Sequence, residues 1–322
     1  MQGLVRFAYT IAIGRIAGPA ALADTSALLS VSIYLALLLP AGLGISASRY
    51  LPDPKMAGPA LRILRKWFHA SSVILAVGAV PISYMIVGSL PAALSCGVLV
   101  YAYNAYVFSR GVLMGEDRIL RSAVADLFSS LLAITALIAV LIWGTHWALL
   151  LPIALGYFLF AAMAKANTSP SDSITSETRS AVVHFLRDAS IGALATGGLL
   201  PATMVFVRTF DTPEKAGLFA AALSLATPAN LVAQAVNQVL IPHFARLSAD
   251  NGVLVASHRK LFLSTTALFA VIFGTIIALS PWILPLFYGD EFSDGAIAMQ
   301  VLLGIVFLIS ATSAPSAFLV AC

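Results

Sequence analysis

Charge is the scarcest property of this sequence. Asp, Glu, Lys and Arg make up 10% of its 322 residues, against roughly 25% in an ordinary soluble domain. With 60% hydrophobic residues beside so few charges, a soluble globular protein is excluded. Cysteine is nearly absent too: Cys96, inside an apolar run, and Cys322 cannot make a disulfide framework. The sequence lacks a GxxxxGK[ST] phosphate loop, which excludes the ATP hydrolysis that this motif supports. It also lacks DxD and HExxH motifs, and its outer loops are too short for the carboxylate set of a membrane glycosyltransferase or polymerase. The net charge of +4 is not gathered into the basic face that nucleic acid would require. His69, His146, His184, His243 and His258 fall near helix ends without metal-ligand spacing, so neither metal nor cofactor is expected.

What the sequence has in abundance is long apolar runs. Ten of them, near 2–17, 25–46, 68–88, 91–113, 119–142, 147–165, 188–207, 216–244, 261–287 and 296–321, have the length of membrane helices. The expected fold is therefore all-α, a polytopic membrane bundle of about ten spans. With the N-terminus cytoplasmic, fourteen Lys and Arg residues fall on inside loops, and only Arg15, Arg208 and Lys215 fall outside. The positive-inside rule selects that orientation. Trp67, Trp143, Trp147 and Trp282 all lie near expected helix ends, where an indole ring meets the headgroups.

The polar stretch 166–180, ANTSPSDSITSETRS, cannot bury a core and divides the apolar runs into two sets. The sets share a pattern. An outer-end Arg (Arg15, Arg208) precedes a Pro (Pro19, Pro213), a long apolar helix follows, and that helix ends at an inner Arg (Arg49, Arg246). Repetition in the same direction implies two pseudo-symmetric lobes about an axis along the membrane normal. The expected division is a six-helix lobe over 1–165, a cytoplasmic linker over 166–187, and a C-terminal lobe of four helices over 188–322. By comparison with the first lobe, the second is expected to be incomplete.

The string GRIAGPAALADTSALLSVSIYLALLLPAGLGISASRYL resembles the opening of the polysaccharide-biosynthesis flippases through Gly18, Pro19, Gly42, Leu43, Gly44, Arg49 and Tyr50. Further similarity lies in SRGVLMGEDRI, EKAGLFAAALSLA, IPHFARL and SPWILPLFYGDEFSDGA. Ala23 stands where the family usually has Gly, and the first span is short. The resemblance, to a superfamily that also contains multidrug exporters, implies a two-lobed transporter of the bacterial cytoplasmic membrane. Such a protein moves an undecaprenyl-diphosphate-linked oligosaccharide between leaflets by alternating access. Its partners would be that lipid-linked oligosaccharide, membrane lipids, and polymerase and export machinery, with no nucleic acid. A cation-coupled multidrug exporter of the same superfamily is the alternative within this fold, and a membrane-embedded glycosyltransferase or polymerase, disfavoured by the short outer loops, is the alternative from another class.

Ionisable groups inside a membrane cost free energy unless they face water or a partner, so each is a candidate for function. Arg6, Arg15, Arg49, Arg208 and Arg246 could give positive potential to a diphosphate, which the planar guanidinium pairs well. Asp24, opening the second span, and Asp126, in the fifth, are the candidates for a proton or cation. Asn230, Gln234 and Asn237 fall within an arc of about 60° over about 10 Å of helix, a polar stripe suited either to sugar hydroxyls or to interhelical hydrogen bonds. A weaker face of Tyr101, Asn104 and Phe108 could stack sugars or pack in the core.

Overall fold

The structure, a computed structural model, describes residues 2–169, 175–227 and 251–311, without the side chains of Gln2, Leu4 and 251–260. Among these residues there is no strand. Eleven α-helices follow one another: α1 (Gln2–Leu38), α2 (Pro40–Tyr50), α3 (Pro54–Val87), α4 (Leu90–Gly115), α5 (Ile119–Trp143), α6 (Leu151–Met163), α7 (Ser176–Gly197), α8 (Leu199–Phe210), α9 (213–227), α10 (Asn251–Tyr288) and α11 (Ala296–Ala311). Seven stretches are long and apolar enough to cross a membrane, or eight if α7 and α8, bent by 57°, form one broken span. Their outward faces carry largely exposed apolar side chains such as Leu120, Ile142, Ile74 and Val271. Surface of that kind is stable only against hydrocarbon.

The helix ends follow from local chemistry. Asp53 caps α3, its Oδ1 accepting the Lys55 N–H at 2.9 Å, with Pro54 in the first turn. Gly88 and Gly144 end α3 and α5 in the left-handed conformation. Pro40 has no N–H to continue α1 and so begins α2.

Two boundaries differ from the expected spans. The first two apolar runs meet without a loop: Gly18, at φ 83° and ψ 178°, is non-helical and divides α1 into two helices, the second starting at Pro19 and not near residue 25. The expected linker over 166–187, with its polar stretch 166–180, is helical from Ser176 onward. Thr175 Oγ1 accepts the Thr178 N–H at 3.1 Å, and this cap starts α7 in sequence that is too polar to register as a span.

By its contacts the chain forms two compact units, one of residues 1–5 and 20–216, the other of 6–19 and 217–322. In the first unit, α4 crosses α2 at very short range. A Cβ on Gly111 would stand 2.2 Å from the Gly44 carbonyl oxygen, and one on Gly115 would stand 2.6 Å from that of Ala47. The Gly111/Gly115 spacing is the small-xxx-small pattern by which membrane helices bring their backbones together. Leu43, Ala47, Leu61, Leu64, Phe68, Phe108 and Val182 form the core beside this crossing.

In the second unit, the first part of α1 packs on α9 and α10. Phe7 meets Phe287 edge-on at 5.5 Å. The Tyr288 hydroxyl donates to Thr10 Oγ1 at 3.1 Å and also bonds Ser224 Oγ. Gly217 lies against Pro19, with room for no side chain.

Candidate functional site

Three clefts in the first unit are lined in part by charged and polar groups. At one end of the helices, Asp24, Thr25, Ser89, His146 and Trp147 line a cleft of about 140 Å³. Asp24 is not an isolated acid there. Arg208 Nε donates to its Oδ1 at 2.7 Å, with side-chain exposures of 14% for Arg208 and 36% for Asp24. α8 is thereby tied to α1 beyond its break.

Nearer the opposite end, α2 and α4 bound a groove of about 330 Å³ lined by Ala41, Ser48, Tyr103, Tyr106 and Arg110. The Tyr103 and Tyr106 rings stack at 6.1 Å, and Tyr157 packs against both, at 5.3 and 4.9 Å. Arg110 Nη1 donates to the Tyr106 hydroxyl at 3.0 Å. The groove thus presents the partly exposed Tyr103 ring, with the largely buried Tyr106 and Tyr157 behind it, and one guanidinium, groups able to receive sugars and their phosphates.

The third cleft is the most basic. Arg62, Lys66 and Trp67 of α3 and Arg179 of α7 line about 520 Å³. Arg49 stands nearby in the same unit, its guanidinium 4.3 Å from the centre of the Phe185 ring on α7. The Tyr50 hydroxyl donates to the Ala181 carbonyl at 3.2 Å.

A buried carboxylate closes this basic end. Glu116, in the loop after α4, has a side chain only 6% exposed and pairs with Arg118 at 3.0 Å. It accepts the Asn167 N–H at 2.8 Å and the Thr168 N–H at 2.9 Å. Arg118 donates on to the Lys165 carbonyl and Arg121 to that of Met163. Desolvation works to raise the Glu116 pKa, but the backbone N–H groups of Thr168 and Asn167 and the Arg118 guanidinium outweigh it and hold the pKa below the usual glutamate range.

The residues singled out from sequence are distributed as follows. Asp24 and Arg208 come together, and Arg49 sits on an aromatic of α7. Asp126 is buried in α5 and engaged in an interaction, so it is not an open acid. Arg6 is half-buried and likewise engaged, and Arg15 is exposed, both in the second unit. Arg246, Asn230, Gln234 and Asn237 lie outside the described residues.

Of the weaker aromatic face, Asn104 and Phe108 are buried within helix packing, and neither Asn104 amide atom meets a protein partner among the described residues. Tyr103, one residue earlier and about 100° around α4, faces the groove instead. Sequence reasoning missed Tyr103, Tyr157, Glu116 and the Arg62/Lys66/Arg179 cluster. For the cluster, the i, i+4 spacing of Arg62 and Lys66 was a usable signal.

Long apolar helices with exposed outward faces define a polytopic membrane protein, with clefts at both ends. The solved inward-facing structure of a multidrug resistance MATE family transporter of the MOP superfamily superposes with a TM-score of 0.83 at 14% identity, over 100% of this chain and 81% of that one. The family described as polysaccharide biosynthesis protein matches residues 114–297. The chain belongs to that family. No curated protein matches it at a significant level.

Proposed function

We propose that this protein is a flippase. It moves an undecaprenyl-diphosphate-linked oligosaccharide from the inner to the outer leaflet of the bacterial cytoplasmic membrane, by alternating access and without catalysis. The observation that carries the reading is membership of a polysaccharide-biosynthesis family in a chain whose fold is that of a transporter.

Translocation requires compensating charge for a diphosphate and polar or aromatic surface for sugars. Arg6, Arg15, Arg49, Arg208 and Arg246 supply the first, and Tyr103 with Arg110 and the Asn230, Gln234 and Asn237 stripe supply the second. Asp24 and Asp126 are the acids through which an ion gradient could act, Asp24 in exchange with Arg208. The basic end of the bundle, carrying Arg62, Lys66, Arg118 and Arg179, faces the cytoplasm, and so does the N-terminus. The spans before and after the polar segment act as the two moving lobes.

The test is translocation of a fluorescent polyprenyl-diphosphate oligosaccharide in proteoliposomes, read by an impermeant quencher added outside. Protein-dependent growth of the quenchable fraction is the expected result. A fraction that stays constant while a fluorescent cationic drug is exported would establish the multidrug reading instead.

A further inference from the structure

We infer that the cleft between α3 and α7 is a headgroup site for an anionic phospholipid of the surrounding leaflet, with its acyl chain lying along α3. The inference rests on the protein being embedded in a membrane and not on what it transports.

The sequence of α3 sets the depth of the cleft. Its Lys and Arg residues, Lys55, Arg62, Arg65 and Lys66, all lie in the first 13 of its 34 residues. From Ala70 to Val87 no residue is Asp, Glu, Lys, Arg or His. Those 18 residues make about 27 Å of helix, close to the hydrocarbon thickness. Lys66 and Trp67 therefore stand at the headgroup level, where exposed indole rings reside. Trp67 is exposed and lines the cleft.

The face of α3 provides the second half of the argument. At 100° per residue, Arg62, Lys66, Ala70, Val73 and Val77 fall within about 40° of one line down the helix. The line begins with two cations in the cleft and continues into apolar side chains that stay largely uncovered among the described residues, Val73 being 51% and Val77 67% exposed. From Lys66 to Val77 is about 16 Å, the depth of one leaflet's hydrocarbon. Arg179 adds a third cation from across the cleft.

An amphiphile with a phosphate head and a hydrocarbon tail matches this sequence of surfaces. Lys66 and Arg179 take the phosphate oxygens in charge-assisted hydrogen bonds, Arg62, already engaged within the protein, adds its charge alongside, and the tail covers the valines. A bilayer phospholipid fits better than the lipid-linked substrate. Past the cleft the line offers only apolar groups as far as Val77, with nothing for a sugar to bond. The occupant stays where it binds.

The experiment is native mass spectrometry of the full chain released from nanodiscs of equal parts phosphatidylglycerol and phosphatidylcholine. The expected result is one retained phosphatidylglycerol per chain in clear preference to phosphatidylcholine. Retention should fall about a hundredfold or more in Lys66→Ala/Arg179→Ala and be kept in Lys66→Arg, since each of the two lost charge-assisted contacts costs at least about one order of magnitude. Circular dichroism checks that the double variant is folded, and the wild-type preference stands as a separate readout if it is not. Equal retention of the two lipids would overturn the proposal, as would unchanged retention in a folded double variant. So would displacement of the phosphatidylglycerol by a stoichiometric polyprenyl diphosphate, which would make the cleft a substrate site.

Discussion

Arg208 Nε stands 2.7 Å from Asp24 Oδ1 across 184 residues of sequence. The pair joins the end of α8 to α1 and sits only partly out of solvent, so its worth lies between a surface ion pair and a buried one. Asp24→Asn and Arg208→Ala should each lower stability by about 1–2 kcal/mol, seen as a reduced Tm in detergent. The exchanged pair Asp24→Arg/Arg208→Asp should recover part of it. Transport separates the two uses of the arginine. Arg208→Lys keeps the charge without the planar fork and should flip partly, whereas Arg208→Ala should flip little.

The α2–α4 crossing gives a steric prediction. Gly111→Ala places a methyl carbon on the Gly44 carbonyl, and backbone cannot move aside as a side chain can. The expected loss is about 1–3 kcal/mol, measured by thermal unfolding. Gly78→Ala on α3 meets nothing within 4 Å and should be neutral or slightly stabilising.

Glu116 predicts a pH dependence. Its pKa is lower in the folded protein than the ordinary value of 4.5, so the charged form favours folding. That stabilisation is complete above pH 4.5 and is lost as the pH falls through the lower folded value. Glu116→Gln should reduce Tm at neutral pH and flatten its dependence below pH 4.5. Limited proteolysis of the segment after Met163, which Glu116, Arg118 and Arg121 hold, should quicken in the variant.

The α2–α4 groove makes a prediction about rate. If Tyr103 offers a sugar-stacking face, Tyr103→Ala should slow flipping about three- to tenfold, with Tyr103→Phe close to wild type. Equal loss in both would assign the effect to the hydroxyl.

How far sequence could lead depended on whether a feature was local. The spans were legible because apolar length is set by the bilayer and needs no knowledge of neighbours: the runs at 91–113 and 119–142 agree with α4 and α5 to within a few residues. The start of α7 was hidden because a cap at Thr175 outweighs the polarity of the residues after it. The start of the second helix of α1 was misplaced because a single glycine with positive φ, not a loop, divides it from the first. The Arg208–Asp24 pair and the Glu116 bonds to Asn167 and Thr168 join residues that only the fold brings together. The charges were visible in the sequence, but their partners were not. The face of α4 that meets the groove turned on a single residue of helical phase, which placed Tyr103 outward and Asn104 inward.

The docking of the first part of α1 onto residues near the far end of the chain has a consequence for biosynthesis. Thr10 emerges from the ribosome 278 residues before the tyrosine whose hydroxyl it accepts. At ordinary elongation rates that is a delay of roughly 15–55 s. Through this interval Thr10 and Phe7 lack the Tyr288 and Phe287 neighbours of the folded protein, and Pro19 waits 198 residues for Gly217. The first helix must be held in the translocon, by an insertion chaperone or in the open bilayer until α10 arrives. Truncations ending before Tyr288 would leave it a standing target for membrane quality-control proteases.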